Sequence, residues 1–194
     1  MILDETGSSL RFNFNDDAWH NVIKYDSEKE SPQVDYDKIK NAIDQTKAVD
    51  FIGIYQKNEL TFLEVKNFKY YRIESKNRIE KGDNKNESLD IEIAKKVRDT
   101  LAGIIGGARN STHQRQIWKD YLKVFSNENK HIRVVLWLEQ DRPNDRESKP
   151  RKMTLQNKLL ERLSWLTSDI RIFSVNNHDF KDNLIVENLP RKKD

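Results

Sequence analysis

AVDFIGIYQKNELTFLEVKNF, residues 48–68, has the pattern of two apolar strands joined by a short polar turn. Asp50 heads the first strand, and Glu64 and Lys66 interrupt the second. Side chains alternate between the two faces of a strand, so Glu64 and Lys66 project from the same face. Other acid-x-Lys triplets occur in the chain, but only this one lies inside an apolar strand. The context favours a functional cluster over a salt-bridged strand at a sheet edge.

The length of the turn decides whether Asp50 joins this cluster, because residues directly opposite in an antiparallel pair share a face. A two- or four-residue turn sets Asp50 opposite Val65, on the wrong face. A three-residue loop over 56–58 sets Asp50 opposite Glu64. A loop over 57–59 sets Asp50 opposite Lys66. A bulge near Asp50 would also bring it to the correct face. The functional interpretation therefore requires a particular hairpin register.

Two carboxylates in that register lie within the ~5 Å typical of cross-strand neighbours, which is costly unless a cation lies between them. Mg²⁺ is the natural occupant, and Mn²⁺ a substitute, because such ions take hard oxygen ligands and keep several waters. We expect Asp50, Glu64 and the Val65 carbonyl as ligands. Lys66 is placed to orient or deprotonate an attacking water, or to stabilise charge on phosphorus. This chemistry fits hydrolysis of a phosphodiester bond.

Asp50, thirteen intervening residues and the tripeptide EVK at 64–66 resemble the motif of the PD-(D/E)xK nuclease superfamily over residues 36 to 140. Val49 stands where the name-giving proline would be. The segments KAVDFIG and KKVRDTLAGIIGGAR are similar to those of small uncharacterised bacterial members. In that superfamily the two acids bind the metal, the lysine acts on water, and a mixed sheet carries flanking helices. The resemblance implies a restriction-endonuclease-like core and a metal-dependent nuclease, with DNA as the favoured substrate.

Members of the superfamily often carry a further acid from an upstream helix. Here the candidates are Asp26, Glu28 and Asp44. Asp26 is favoured as a metal ligand because it ends an apolar segment, whereas Asp44 has the pattern of an exposed helix charge.

Basic and aromatic residues follow the motif and suit contacts with nucleic acid. Lys69, Tyr70 and Arg72 leave the strand directly and are suited to backbone phosphates and base stacking. Lys96 and Arg98 fall near the margins of the apolar stripe of a later helix, from which they could reach a bound phosphate. The alternatives are a solvated loop for the first three and side chains that extend along the core for the last two.

The remaining pattern predicts an α/β fold with a mixed sheet flanked by helices. The predicted elements are helices over 35–45, 88–107, 112–125 and 154–166, strands over 131–140 and 169–175, and a loop over 141–152. Gly106 and Gly107 are expected to cap the second of these helices. The segment 10–26 stays open between a short helix capped by Asp16 or Asp17 and a strand.

The length of 194 residues indicates a single domain over 1–194, with a loose basic tail from about residue 190. The 35 basic and 32 acidic residues nearly balance, so attraction to a polyanion depends on local clustering. The chain has no cysteine, which excludes disulfides and thiolate metal sites and suits the reducing cytoplasm. Its apolar stretches are too short to span a bilayer. We therefore expect a cytoplasmic protein that does not contact membranes.

Two function classes remain after these observations. The first is a Mg²⁺-dependent nuclease. The second is a module that binds nucleic acid or a protein without turnover and keeps the nuclease fold. A homodimer also stays open, because a nuclease that cuts both strands is often a dimer, although no apolar stripe in the sequence argues for one.

Overall fold

The computed structural model describes residues 1–26, 43–69, 78, 87–112, 114–141 and 148–189. The strands in this part of the chain are β1 (Ile2–Glu5), β2 (Leu10–Phe14), β3 (Trp19–Lys24), β4 (Phe51–Tyr55), β5 (Glu59–Asn67), β6 (His131–Glu139), β7 (Asp169–Phe173) and β8 (Leu184–Asn188). The helices are α1 (Leu89–Asn110), α2 (Arg115–Phe125) and α3 (Ser148–Leu163), and a 3-10 turn covers Lys181–Asn183. None of these helices is both long and apolar enough to cross a membrane.

Strands β3 to β7 form a central sheet in chain order. β3, β4 and β5 pair antiparallel, whereas β5, β6 and β7 pair parallel. Parallel neighbours need long crossovers, and the helices supply them: α1 and α2 lie between β5 and β6, and α3 lies between β6 and β7. All three helices pack on one face of the sheet. The predicted α/β fold, a mixed sheet flanked by helices, is confirmed.

A second sheet of β1, β2 and β8 covers the other face of the central sheet. Segment 10–26, which the sequence leaves open, forms the strands β2 and β3, with Asp16 and Asp17 in the turn between them. Every second residue of β2 is buried, as alternation requires. The ring of Phe12 lies 5.0 Å from that of Phe51 and 5.4 Å from that of Trp137. These aromatic contacts join the two sheets.

Helix α1 continues through the two glycines that were expected to end it. The prediction of a cap at Gly106 and Gly107 is wrong, because the helix runs to Asn110. Gly107 serves packing instead, since a Cβ at this position would lie 2.8 Å from ring atoms of Trp118. Trp118 is fully buried. The glycine therefore lets α2 approach α1 closely.

Helix α3 begins earlier than the sequence predicts. The predicted loop over 141–152 is wrong from Ser148 onward, where α3 starts. Pro150 lies in the first turn, where a missing N–H costs no helical hydrogen bond. Leu155, Leu159 and Leu163 are fully buried on one side of α3, whereas Trp165, just beyond its end, is 58% exposed. Most of the predicted helix over 35–45 and the tail from residue 190 lie outside the described residues.

The β4–β5 hairpin has the three-residue loop over 56–58. Phe51 pairs with Leu63, and Tyr55 pairs with Glu59. The loop turns through left-handed backbone at Gln56 and Lys57, with φ of 48° and 56°. One step beyond the pair of Phe51 and Leu63, this register sets Asp50 opposite Glu64, as one of the two predicted three-residue loops requires.

Candidate active site

The carboxyl groups of Asp50 and Glu64 lie on the helix-covered face of the central sheet. Asp50 is 5% exposed and Glu64 is 1% exposed. β4 begins at Phe51, so β5 has no strand partner on this side beyond Leu63. Oδ2 of Asp50 lies where the partner strand would continue, and it accepts a hydrogen bond of 2.6 Å from the Val65 N–H. The C=O of a strand residue lies on the same edge as its N–H, so the Val65 carbonyl faces the same place.

Asp26 and Glu5 extend this cluster of carboxylates. Tyr25 donates its N–H to the Asp50 carbonyl at 2.8 Å, which brings the following residue beside Asp50. One oxygen from each of Glu5, Asp26 and Asp50 lies within 4.8 Å of the other two. Asp26 is the upstream acid that the sequence favours. The other candidates differ: Asp44 is exposed, and residue 28 lies outside the described residues.

Glu5 reaches the cluster from β1, in the second sheet, and sequence reasoning missed it. Its Oε2 lies 2.8 Å from Nζ of Lys24, which also donates to the carbonyl of Asp4. β1 lies beside β2 in the second sheet, so only tertiary packing brings Glu5 to Asp50. No local pattern in the sequence signals this approach.

Lys96 of α1 points into the cluster. Its Nζ lies 2.7 Å from Oε1 and 2.9 Å from Oε2 of Glu64, and 3.6 Å from Oδ1 of Asp50. Lys96 was predicted as a phosphate contact, and its ammonium is instead bound to the two central acids. Arg98, its companion in that prediction, pairs with its neighbour Asp99 at 2.8 Å and has an exposed side chain.

Lys66 lies at the other side of Glu64. Its Nζ is 2.7 Å from Oε1 of Glu64 and 3.0 Å from Oε1 of Glu92 on α1. Arg78 binds the other oxygen of Glu92. Sequence reasoning missed Glu92, although its position four residues before Lys96 on one helix face is a signal that could have found it. Glu92 therefore helps fix the Lys66 amine at the edge of the cluster.

Burial and crowding raise the pKa values of the two central acids. Burial, opposed by Lys96 and reinforced by Asp26, raises the pKa of Asp50 to about 7. Burial and the charge of Asp50, opposed by Lys66 and Lys96, raise the pKa of Glu64 to about 7. Burial likewise raises the pKa of Asp26. Carboxyls with such values hold protons near neutral pH unless a further cation stabilises the charged forms.

The other predicted nucleic-acid contacts are less well placed. Lys69 turns toward the second sheet, where its Nζ lies 3.2 Å from Oε2 of Glu139 and 3.3 Å from Oδ1 of Asn188. Glu139 also accepts hydrogen bonds from the Trp137 indole at 3.0 Å and from the backbone N–H of Val175 at 2.7 Å. Tyr70 and Arg72 lie outside the described residues.

The protein therefore has a mixed α/β fold, and buried acids and lysines interact with one another at one end of its central sheet. The chain belongs to DUF6661, a family of unknown function whose pattern matches residues 34–187. That range includes Asp50, Glu64, Lys66 and Lys96, whereas Glu5 and Asp26 precede it. No curated protein and no solved structure matches the chain.

Proposed function

We propose that this protein is a metal-dependent nuclease that hydrolyses phosphodiester bonds of nucleic acid, with DNA as the favoured substrate. The observation that carries the proposal is the meeting of Asp50 and Glu64 on one face of the sheet, with Lys66 beside them. The resemblance of these positions to the PD-(D/E)xK motif supports the same chemistry and supplies the preference for DNA.

The donor set fits a hard divalent ion. Oδ1 of Asp26 is buried and has no hydrogen-bond partner among the described residues, which an ion would supply. Asp50 belongs to two groups of acids that could bind the ion. It shares one face of the sheet with Glu64, and its carboxylate lies close to those of Asp26 and Glu5. The Val65 carbonyl is a further oxygen on the same edge. Bound Mg²⁺ or Mn²⁺ would polarise a phosphate oxygen and acidify water.

In this proposal Lys66 acts on the attacking water or on the phosphate, and Glu92 holds Lys66 in place. The Lys66 ammonium, fixed between Glu64 and Glu92, orients a water or stabilises negative charge on the phosphate. Burial lowers the pKa of Lys66, but Glu64 and Glu92 outweigh this effect and raise it overall. Glu92 is thus a positioning residue, because it acts through Lys66.

A nuclease assay tests the proposal on single- and double-stranded DNA and RNA with Mg²⁺ or Mn²⁺. Wild type should cleave at least one substrate, and Asp50→Asn and Lys66→Ala should lose that cleavage. Matched controls are Asp182→Asn and Lys149→Ala, which change exposed residues elsewhere. Equal cleavage by wild type and Lys66→Ala would show contamination and overturn the proposal.

A second candidate is a binding module without turnover, and the position of Lys96 favours it. Its ammonium already neutralises both oxygens of Glu64 without any metal. Calorimetry separates the two candidates: a nuclease should bind Mn²⁺ in a way that Asp50→Asn abolishes. Absence of such binding, together with retained affinity for nucleic acid, would leave only the binding module.

A further inference from the structure

A cavity of about 270 Å³ lies at the opposite end of the central sheet from the carboxylates. Its wall includes residues of β3, α2 and the β4–β5 turn. Glu64 lies six residue steps along the chain from Asn58, at this turn, which corresponds to about 20 Å at about 3.3 Å per residue. The charged and titratable lining residues are His20, Lys57, Asp120, Lys123 and Lys130. The cavity is therefore separate from the candidate active site.

The lining carries an excess of positive charge. The ammoniums of Lys57 and Lys123 form no ion pair with any residue that the structure describes, and Lys130 donates to the carbonyl of Lys57 at 2.6 Å. Asp120 is the one acid in the lining, and it already has donors. Its oxygens accept hydrogen bonds from the Asn21 amide at 3.0 Å and the Gln116 amide at 2.8 Å. The uncompensated cations leave the cavity attractive to an anion.

The backbone around the cavity departs from regular geometry. β3 is bulged between His20 and Ile23, and Asn21 within the bulge has a left-handed φ of 52°. Lys57, in the facing turn, is also left-handed. Bulges and left-handed residues other than glycine concentrate at functional sites. Here the bulge directs Asn21 and His20 to the cavity.

His20 gives an independent sign of a missing partner. Its Nε2 is buried and makes no hydrogen bond with any described residue. Buried polar atoms normally have a partner, so an orphan at the wall of a cavity indicates a ligand that supplies one. A phosphate oxygen meets this need and those of the neighbouring ammoniums, since it accepts hydrogen bonds from both groups.

We propose that this cavity binds a phosphate group, with Lys57 and Lys123 neutralising its charge and His20 donating a hydrogen bond. The volume admits a phosphate with a small substituent and is small for a drug-sized ligand. Such a group is either a small phosphate monoester or the phosphate of a nucleic acid. The proposal goes beyond the nuclease activity and does not depend on it.

Backbone-amide NMR with inorganic phosphate as the probe tests the site. Saturable shifts should appear at Asn21 and Asn127, which line the cavity. The double variant Lys57→Met, Lys123→Met should weaken binding about tenfold, because two charges beside the anion are lost. Lys149→Met, on an exposed part of α3, should bind as wild type does. Circular dichroism verifies that each variant is folded.

The results that would overturn the phosphate site differ from those that would overturn the nuclease proposal. Absence of saturable shifts in wild type, or equal weakening by Lys149→Met, would overturn the phosphate site. Asp50→Asn should bind phosphate normally, whatever its effect on cleavage. A trinucleotide with a 5′-phosphate that binds tighter than inorganic phosphate identifies a nucleic-acid end as the ligand. Equal or weaker binding of the trinucleotide identifies a small phosphate, and both results support the site.

Discussion

The Lys96 ammonium bridges both oxygens of Glu64, at 2.7 Å and 2.9 Å, and lies 3.6 Å from Oδ1 of Asp50. It thus occupies the gap between the two central acids. A divalent ion that joined Asp50 to Glu64 would need the same gap. The lysine therefore neutralises the acids, and it would compete with the proposed metal for them.

Replacement of Lys96 by methionine should separate these two effects. Without metal, Lys96→Met should lower the free energy of unfolding by about 3 kcal/mol, because it removes from the buried carboxylates a cation that lies near both of them. At pH 8, where the acids are charged, it should raise the affinity for Mn²⁺ about tenfold, because a competing cation is gone. Urea unfolding in EDTA and calorimetry measure the two quantities.

The neighbouring Lys95 provides a matched control for that variant. Lys95 binds Glu87 at the protein surface, so Lys95→Met should leave both the free energy of unfolding and the metal affinity near their wild-type values. Weaker Mn²⁺ binding by Lys96→Met than by wild type would show that the ammonium assists the metal rather than competing with it.

The stability of the metal-free protein should fall as the pH rises from about 5 to 8. The folded-state pKa of Glu64 is about 7, above its ordinary value of 4.5, so the folded protein holds more protons than the unfolded chain in this range. The free energy of unfolding therefore decreases with pH, by about 3 kcal/mol for Glu64 alone. Urea unfolding at several pH values in EDTA measures this slope.

Glu64→Gln should make that slope shallower, because glutamine does not titrate and only the contributions of Asp50 and Asp26 remain. Glu161→Gln, an exposed change on α3, should keep the wild-type slope. Saturating Mg²⁺ should remove most of the slope in wild type, since acids held deprotonated by a metal bind no more protons than the unfolded chain over this range. A metal-free wild type that gains stability over this range, or that matches Glu64→Gln, would contradict the raised pKa.

The elements that the sequence predicts well are those fixed by local alternation. The shared face of Glu64 and Lys66 follows from the alternation of side chains along a strand, and the sequence limits the turn between β4 and β5 to a few lengths. Asp26 could be favoured because it ends an apolar segment.

The sequence-based predictions fail where residues that are far apart in the sequence come into contact. Glu5 reaches Asp50 only because the second sheet packs on the first, and no spacing in the sequence encodes that contact. The end of α1 was misplaced because paired glycines commonly cap a helix, whereas Gly107 here accommodates Trp118 from α2. Lys96 was expected to reach a bound phosphate or to extend along the core, and its approach to Glu64 depends on how α1 crosses the sheet.

Gly106 and Gly107 of α1 should respond oppositely to replacement by alanine. A Cβ at Gly107 would lie 2.8 Å from the Trp118 ring, so Gly107→Ala should lower the free energy of unfolding by about 2 kcal/mol. Gly106 has no atom within 4 Å of such a Cβ, so Gly106→Ala should raise it by about 1 kcal/mol through helix propensity. Urea unfolding compares the two variants, and equal effects would refute the packing role of Gly107.

Glu5 should contribute to metal binding although it precedes the region that defines the family. Its carboxylate lies within 4.8 Å of those of Asp26 and Asp50, so Glu5→Gln removes one charged ligand and should weaken Mn²⁺ binding about tenfold. Asp4→Asn is the matched control, since Asp4 is the adjacent acid and its carboxylate pairs with Arg11 on the surface. Calorimetry at pH 8 measures both variants. Equal affinities for Glu5→Gln and wild type would contradict this role and restrict the carboxylate ligands to Asp50, Glu64 and Asp26.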